Sequence, residues 1–216
     1  MDSFDKFFDS NNPVMRFLSR LVDLAIVNVM TLVCAIPLVT IGGSMAAMNH
    51  VLLHLVRGDE TYVTKMFIKS FKDNFRQGIP EGLLVLGVAA AAAGDMWLVH
   101  GSSSKLTTAF MITITVVTMF LLATSVYMFA LQSRYVNTVG ETITNAFRLA
   151  VANLPRTLGI IICWLVWVLA LIFAGNAAPL IFMFFGLSLP GYISAMIYNK
   201  VLEKLEAESG SGSEQE

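Results

Sequence analysis

His50 and His54 stand four residues apart, which sets two imidazoles on one face of a helix and supplies half of a metal-binding arrangement. The other half is missing. A zinc protease needs a glutamate directly after the first histidine as general base, and Val51 occupies that position with no third ligand nearby in sequence. The pair is expected to serve as polar packing or interfacial histidines, with no metal and no other cofactor. Nucleophile chemistry has no better support: there is no glycine-flanked serine, no phosphate-binding loop and no aspartate pair within an apolar run. The expectation is a protein that is not an enzyme.

Ionisable side chains inside long apolar runs are the next place to look, because leaving one at the centre of a bilayer costs at least about 2.5 kcal/mol. Three residues qualify. Asp23 and Glu81 fall near one end of their runs and Asp95 near the other end of its own, beside Trp97 and His100, so all three are expected to reach headgroups or water. The deeper polar groups are neutral: Asn28, then Asn49 with His50, and a hydroxyl series of Thr113, Thr115, Thr118, Thr124 and Ser125. Such groups either bond between helices and to their own carbonyls or line a path for a solute.

These residues need elements to hold them, and the composition says of what kind. The chain has 216 residues, 56% apolar or aromatic and only 13% charged, with a mean hydropathy of +0.71. Soluble chains carry about 25% charged residues, so most of this one must face lipid. A soluble enzyme, a nucleic-acid reader and a disordered hub are set aside on that ground. Cys34 and Cys163 both lie in apolar runs, where a thiol behaves as a small hydrophobe, and no disulfide is expected.

A crossing helix needs about 20 apolar residues. Stretches free of Asp, Glu, Lys and Arg run over 24–56, 106–133 and 157–199, and 79–99 is interrupted only by Glu81 and Asp95. Gly175 to Pro179 divides the longest stretch, and Pro37 with Gly42-Gly43 reads as a break in the first. The fold class expected is an all-α membrane protein with about six transmembrane helices, near 21–38, 40–56, 79–99, 106–131, 157–175 and 179–199. The second is the shortest. With both termini in the cytoplasm, nearly every Lys and Arg falls on the inner side and only Lys105 faces out.

The inner segments carry apolar residues spaced by three and four beside cations, over 4–20, 62–77 and 138–156. The expected unit is a cytoplasmic amphipathic helix followed by a transmembrane hairpin, three times over. Two of these helices end alike, in Asn74-Phe75-Arg76-Gln77 and Asn153-Leu154-Pro155-Arg156. Gly87, Ala89 to Ala93 and Gly94 are expected to form a helix contact, within the chain or with a second copy in a homo-oligomer. Residues 203–216, acidic and Ser/Gly-containing, are expected to form a disordered cytoplasmic tail.

Asn28, the run Ala35-Ile36-Pro37-Leu38-Val39-Thr40-Ile41-Gly42-Gly43-Ser44 and the run Lys69-Ser70-Phe71-Lys72-Asp73-Asn74-Phe75-Arg76-Gln77 together resemble the YesL-like family. This is a family of bacterial integral membrane proteins without an assigned activity, and the resemblance extends over roughly residues 4–200. It implies the bacterial cytoplasmic membrane and an association with sugar use, since such proteins tend to be encoded beside carbohydrate uptake systems. It supplies no catalytic residue. The functional or helix-packing positions singled out are Asn28, Pro37, Thr40, Gly42, Gly43, Asn49, His50, Asn74, Arg76, Asn153 and Arg156. Two functions follow as expectations: an accessory protein docking on carbohydrate transporter subunits or a membrane sensor, and a small, oligomeric solute transporter or channel. Glu141 with Leu154-Pro155 is faintly similar to the coupling loop of energy-dependent permeases, but the central glycine is missing and the spacing is too short.

Overall fold

Without water to satisfy backbone N–H and C=O groups, an apolar chain at membrane depth closes its hydrogen bonds within helices. The computed structural model describes residues 13–59, 62–99, 105–134 and 138–212, and these are almost wholly helical. In chain order they form α1 (Pro13–Cys34), a short 3-10 turn (Leu38–Thr40), α2 (Ile41–Arg57), α3 (Val63–Val99) and α4 (Lys105–Gln132). There follow α5 (Val139–Ala152), α6 (Leu154–Phe173), a second 3-10 turn (Gly175–Ala177), α7 (Ala178–Phe185) and α8 (Ser188–Gly212). Among the described residues five segments are individually long and apolar enough to cross a membrane. The segment from Gly175 to Lys204, bent by 56° between α7 and α8, brings the number to six when the bent pair is counted as one span. This is an all-helical, multi-pass architecture.

Several boundaries differ from those expected. Residues 13–20 are not a separate interfacial helix but the first turns of α1. Likewise 62–77 and 79–99 merge into the single 37-residue helix α3, with Pro80 inside it. Proline lacks the N–H that would bond to the carbonyl of Arg76, yet the helix runs on through it. Only the third amphipathic stretch stands apart, as α5. Its start is set by a capping box in which Thr138 accepts from the Glu141 N–H and the Glu141 carboxylate accepts from the Thr138 N–H. That backbone donation holds the Glu141 carboxyl below the usual carboxylate range. Glu141 thus starts a helix, the role that its faint likeness to a permease loop leaves open. At the other end of the chain α8 continues through Gly212, so much of the tail expected to be disordered is helical. Residues 4–12 and 213–216 of the expected amphipathic helix and tail lie outside the described residues.

The shortest expected span is the centre of the bundle. α2 is buried along nearly its whole length, through Ala46, Ala47, Met48, Val51, Leu52, Leu53 and Leu55. It packs against α1, α3, α4 and α8, and a helix enclosed this way has no need of a lipid-facing stripe. Phe67 of α3, Tyr127 of α4, Ile160 of α6 and Tyr198 of α8 complete the core around it.

Gly42 and Gly43 do not break a helix, contrary to the sequence reading; they let two helices touch. A Cβ on Gly42 would overlap the carbonyl oxygen of Gly78, and one on Gly82 would come within 2.6 Å of the Gly42 nitrogen. Gly78 and Gly82, four apart on α3, pack backbone to backbone on the Gly42-Gly43 pair. The break itself lies just before, at 35–40. There the Thr40 hydroxyl sits 2.5 Å from the Cys34 carbonyl oxygen and 2.7 Å from that of Pro37, tying the end of α1 to the start of α2. Gly87 and Gly94 have no helix packed on them within the described chain, so of the two contacts expected for this stripe the internal one is not made at these glycines. A Cβ at either would meet nothing within 4 Å, and Ala89, Ala90, Ala91 and Ala93 are exposed.

Candidate functional site: the buried polar groups

A carboxamide offers two donors and two acceptor lone pairs, and Asn28 uses all four on one feature, the break between α7 and α8. Its Nδ2 donates to the carbonyls of Phe182 (2.9 Å) and Met183 (2.8 Å), and its Oδ1 accepts from the N–H groups of Leu187 (2.7 Å) and Ser188 (2.9 Å). Helix ends leave backbone groups orphaned. Where they are buried, something must replace the lost turn, and here a side chain from the first helix does so. Trp167 adds a donor to the Gly186 carbonyl at 3.0 Å, and Trp164 donates to Ser194 on α8 at 3.2 Å. The two tryptophans therefore pack inside the bundle against the broken segment.

The second cluster surrounds Glu81, which was expected to reach headgroups or water. It is instead fully buried, with 0% of its surface exposed. Gly78, Glu81 and Gly82 share one face of α3, so the close approach that seats the glycines on α2 carries the carboxyl inward with them. Gln77 Nε2 donates to Glu81 Oε1 (3.3 Å) and to Thr142 Oγ1 of α5 (3.2 Å), and Thr142 donates onward to the Thr138 carbonyl (3.0 Å). The Gln132 amide, at the end of α4, donates to Glu81 Oε2 (2.7 Å) and accepts from the Gly78 N–H (3.0 Å), the orientation that matches both its ends. Three helices are thereby joined around one carboxyl group held by neutral amides.

A third set lies along α2. Asn49 donates to the Met45 carbonyl (2.9 Å) and accepts from the hydroxyl of the buried Tyr198 (3.2 Å). At the next residue, His50 Nδ1 faces the Ser133 carbonyl at 3.1 Å, while His54 Nδ1 lies 2.7 Å from Asp59 Oδ2. The imidazoles meet edge to face, 4.7 Å between centroids, each with a different partner. At the end of α2, Arg57 Nε donates to Asn199 (2.8 Å), and both Arg57 and Arg134 reach Glu206.

The paired Asn-x-x motifs behave as local ties. Asn74 donates to the Ser70 carbonyl (2.9 Å), Asn153 to that of Leu149 (3.1 Å), and Arg156 donates to Asn153 Oδ1 (2.9 Å), while Arg76 is exposed. Pro37 accepts from Thr40 at the first break. Of the hydroxyl series, Thr113, Thr115, Thr124 and Ser125 bond to carbonyls one turn earlier on α4. The positions singled out from sequence are thus not brought together into one centre. Asn28 serves the α7/α8 break, Gly42 and Gly43 the crossing, Asn49 and His50 the core beside α4 and α8.

Sequence reasoning does not reach Gln77, Gln132, Thr142 or the Arg57–Arg134–Glu206 set, and it misplaces Glu81. The spacing Gly78-x-x-x-Gly82 could have pointed to Glu81, because it identifies the face on which that carboxyl lies. Nothing in the sequence could have paired Glu206 with two arginines so far away.

Between α2, α3, α4, α6 and α8 lies a cavity of about 290 Å³. Its walls are Met45, Val85, Leu122, Val126, Ile161 and Leu165 with others of the same kind, and Asn49 is among the few polar residues at its edge.

Residues 24–96 match the model of a family described as a protein of unknown function, DUF624. The matched stretch runs from α1 into the last turns of α3 and includes Asn28, the 35–40 turn, the glycine crossing, Asn49 and Glu81. Neither a curated protein nor a solved structure matches the chain.

Proposed function

We propose that this chain is a non-catalytic accessory protein of the bacterial cytoplasmic membrane, with both termini inside, that docks on carbohydrate transporter subunits or on a membrane sensor of sugars. The observation that carries the non-transporting part is how the interior polar groups are used. Asn28, Asn49, Glu81, Gln77 and Thr142 bond to other groups of the chain, and the cavity at membrane depth has apolar walls. A polar solute crossing there would meet few groups able to replace its water. The carbohydrate link rests on the resemblance to the YesL-like family, with which the DUF624 match over 24–96 is compatible. For docking, α5 offers Phe147 and Val151, both exposed, beside Arg148.

The second reading, a small transporter, has one observation in its favour: the sixth segment is broken, and broken helices are where transporters build their sites. The two readings separate in liposomes. The full chain, reconstituted alone, is expected to give no uptake of labelled sugars, and the tagged chain in its native membrane is expected to bring down subunits of a sugar transporter or a membrane sensor. Uptake by the chain alone overturns the accessory reading in favour of the transporter.

A further inference from the structure

Two guanidinium groups from different helices converge on a single carboxylate oxygen. Arg57 Nη2, at the end of α2, and Arg134 Nη2, just past α4, each lie 3.2 Å from Oε1 of Glu206. Arg57 does not depend on Glu206 for its position, since its Nε donates to Asn199 Oδ1, and Asn199 in turn donates to Glu203 Oε1 at 2.7 Å. Glu206 lies on α8 one turn beyond the last buried residues. α8 is packed through the buried Val201 and Leu202, but Glu203 and Lys204 beyond them are exposed. The carboxylate therefore reaches the arginines from the turn of α8 that follows the buried Val201 and Leu202.

Two arginines share the Glu206 carboxylate, with the Glu203 carboxylate one hydrogen-bonded step from Arg57 through Asn199. The forked donor geometry of arginine matches phosphate as well as it matches carboxylate. A phosphate monoester, carrying about 1.5 to 2 negative charges at neutral pH, suits two arginines better than a single carboxylate does. Both arginines keep roughly a quarter of their side-chain surface open, at 21% and 26%.

We propose that Arg57 and Arg134 form a binding site for a phosphate-bearing anion, and that Glu206 occupies this site as an internal competitor. The ends of α2 and α4 meet α8 here, beyond the apolar stretches of the first two. The phosphate can come from a phosphatidic-acid-type lipid or from a soluble phosphate compound.

The test uses the full-length protein in mild detergent, with two probes: phosphatidic acid, counted by native mass spectrometry against phosphatidylcholine, and inorganic phosphate alone, read as a shift in thermal midpoint. Replacing Glu206→Gln is expected to raise retention of one of the two probes about threefold, the factor one partly exposed ion pair is worth. Adding Arg134→Gln to Glu206→Gln is expected to abolish that gain; Arg134 is chosen because Arg57 also ties α2 to α8. A gain with phosphatidic acid that millimolar phosphate does not displace assigns the site to lipid. A gain with phosphate alone assigns it to a soluble ligand. Equal retention of both probes by the unsubstituted protein and Glu206→Gln, or a gain that survives Arg134→Gln, overturns the proposal.

Discussion

The two halves of α3 look alike in sequence and behave as opposites in the fold. The half around Gly78 and Gly82 is pressed against α2 so closely that Cβ atoms have no room, whereas the half from Gly87 to Gly94 has open space at both glycines and exposed alanines between them. Among the described residues, the richer run of small residues is the one with no backbone packed on its glycines. What separates them is the partner: Gly42 and Gly43 lie opposite Gly78 and Gly82, and two backbones approach only when both sides give up their side chains. A small-residue stripe thus marks a contact when a second stripe, elsewhere in the chain, is matched to it. Around the tight half the neighbouring polar groups are enclosed as well, which is why Glu81 is buried there while Asp95, at the open end, is only partly covered.

The harshest way to break this comparison is Gly78→Val. A Cβ at Gly78 would collide with the Gly43 backbone, its Cα only 2.6 Å away, and backbone cannot swing aside as a flexible side chain can. Overpacking of this kind costs about 3 kcal/mol at the upper end of its usual range. In detergent, thermal unfolding followed by tryptophan fluorescence should show the midpoint falling further than it does for Asn28→Ala or Glu81→Ala. An unchanged midpoint would mean that α2 and α3 do not cross at this point.

Asn28→Ala asks whether satisfied polarity stabilises the bundle away from any glycine crossing. It removes four hydrogen bonds from the α7/α8 break and leaves two carbonyls and two N–H groups to find partners. At about 0.6 kcal/mol for an average hydrogen bond in a membrane protein, the loss comes to about 2 kcal/mol. The same unfolding assay should place it second, with protease sensitivity rising near Gly186 if the break itself loosens.

How much of this is legible in the sequence depends on whether the deciding contact is local. The apolar runs, set by lipid thickness, locate the helices, and the deep position of Asn28 marks it as a residue with a partner to find. The identity of that partner, a broken helix about 155 residues later, depends on tertiary packing that periodicity does not encode. Pro37 and the adjacent glycines read as one break because glycine is permissive in isolation; in the fold the proline side of the run makes the turn and the glycine side continues as helix. Glu81 is misplaced by the sequence because distance from the end of an apolar run measures depth along the helix and says nothing about which face the residue occupies. The acidic tail misleads for a related reason: its composition favours disorder, but α8 reaches it already formed and Glu206 finds two arginines.

A smaller effect tests the enclosed polar cluster. Glu81→Ala removes an acceptor from each of Gln77 and Gln132, whose other partners are Thr142 and the Gly78 N–H, and leaving the buried Gln132 donor without one costs about 1 to 2 kcal/mol. Glu81→Gln keeps the shape and most of the hydrogen bonds while removing any buried charge, so it should stay within about 0.5 kcal/mol of the unsubstituted protein. If the glutamine variant unfolds as early as the alanine variant, Glu81 is held by charge rather than by the amides, and a cation must reach it.

The smallest effect, and the one of opposite sign, belongs to the open half. Gly87→Ala adds a methyl group where nothing lies within 4 Å and removes the conformational freedom that makes glycine a poor helix residue. It should raise stability by about 0.5 to 1 kcal/mol, the ordinary gain for this exchange in a helix interior. Gly82→Ala makes the same chemical change one turn and a half earlier, against the Gly42 nitrogen at 2.6 Å, and should destabilise. Measured together by thermal midpoint in one detergent, the pair isolates packing from propensity, because the helix, the residue types and the added atoms are the same. A loss at Gly87 comparable to that at Gly82 would mean that the open face is covered by another molecule under the conditions of the measurement, and the contrast between the two halves of α3 would disappear.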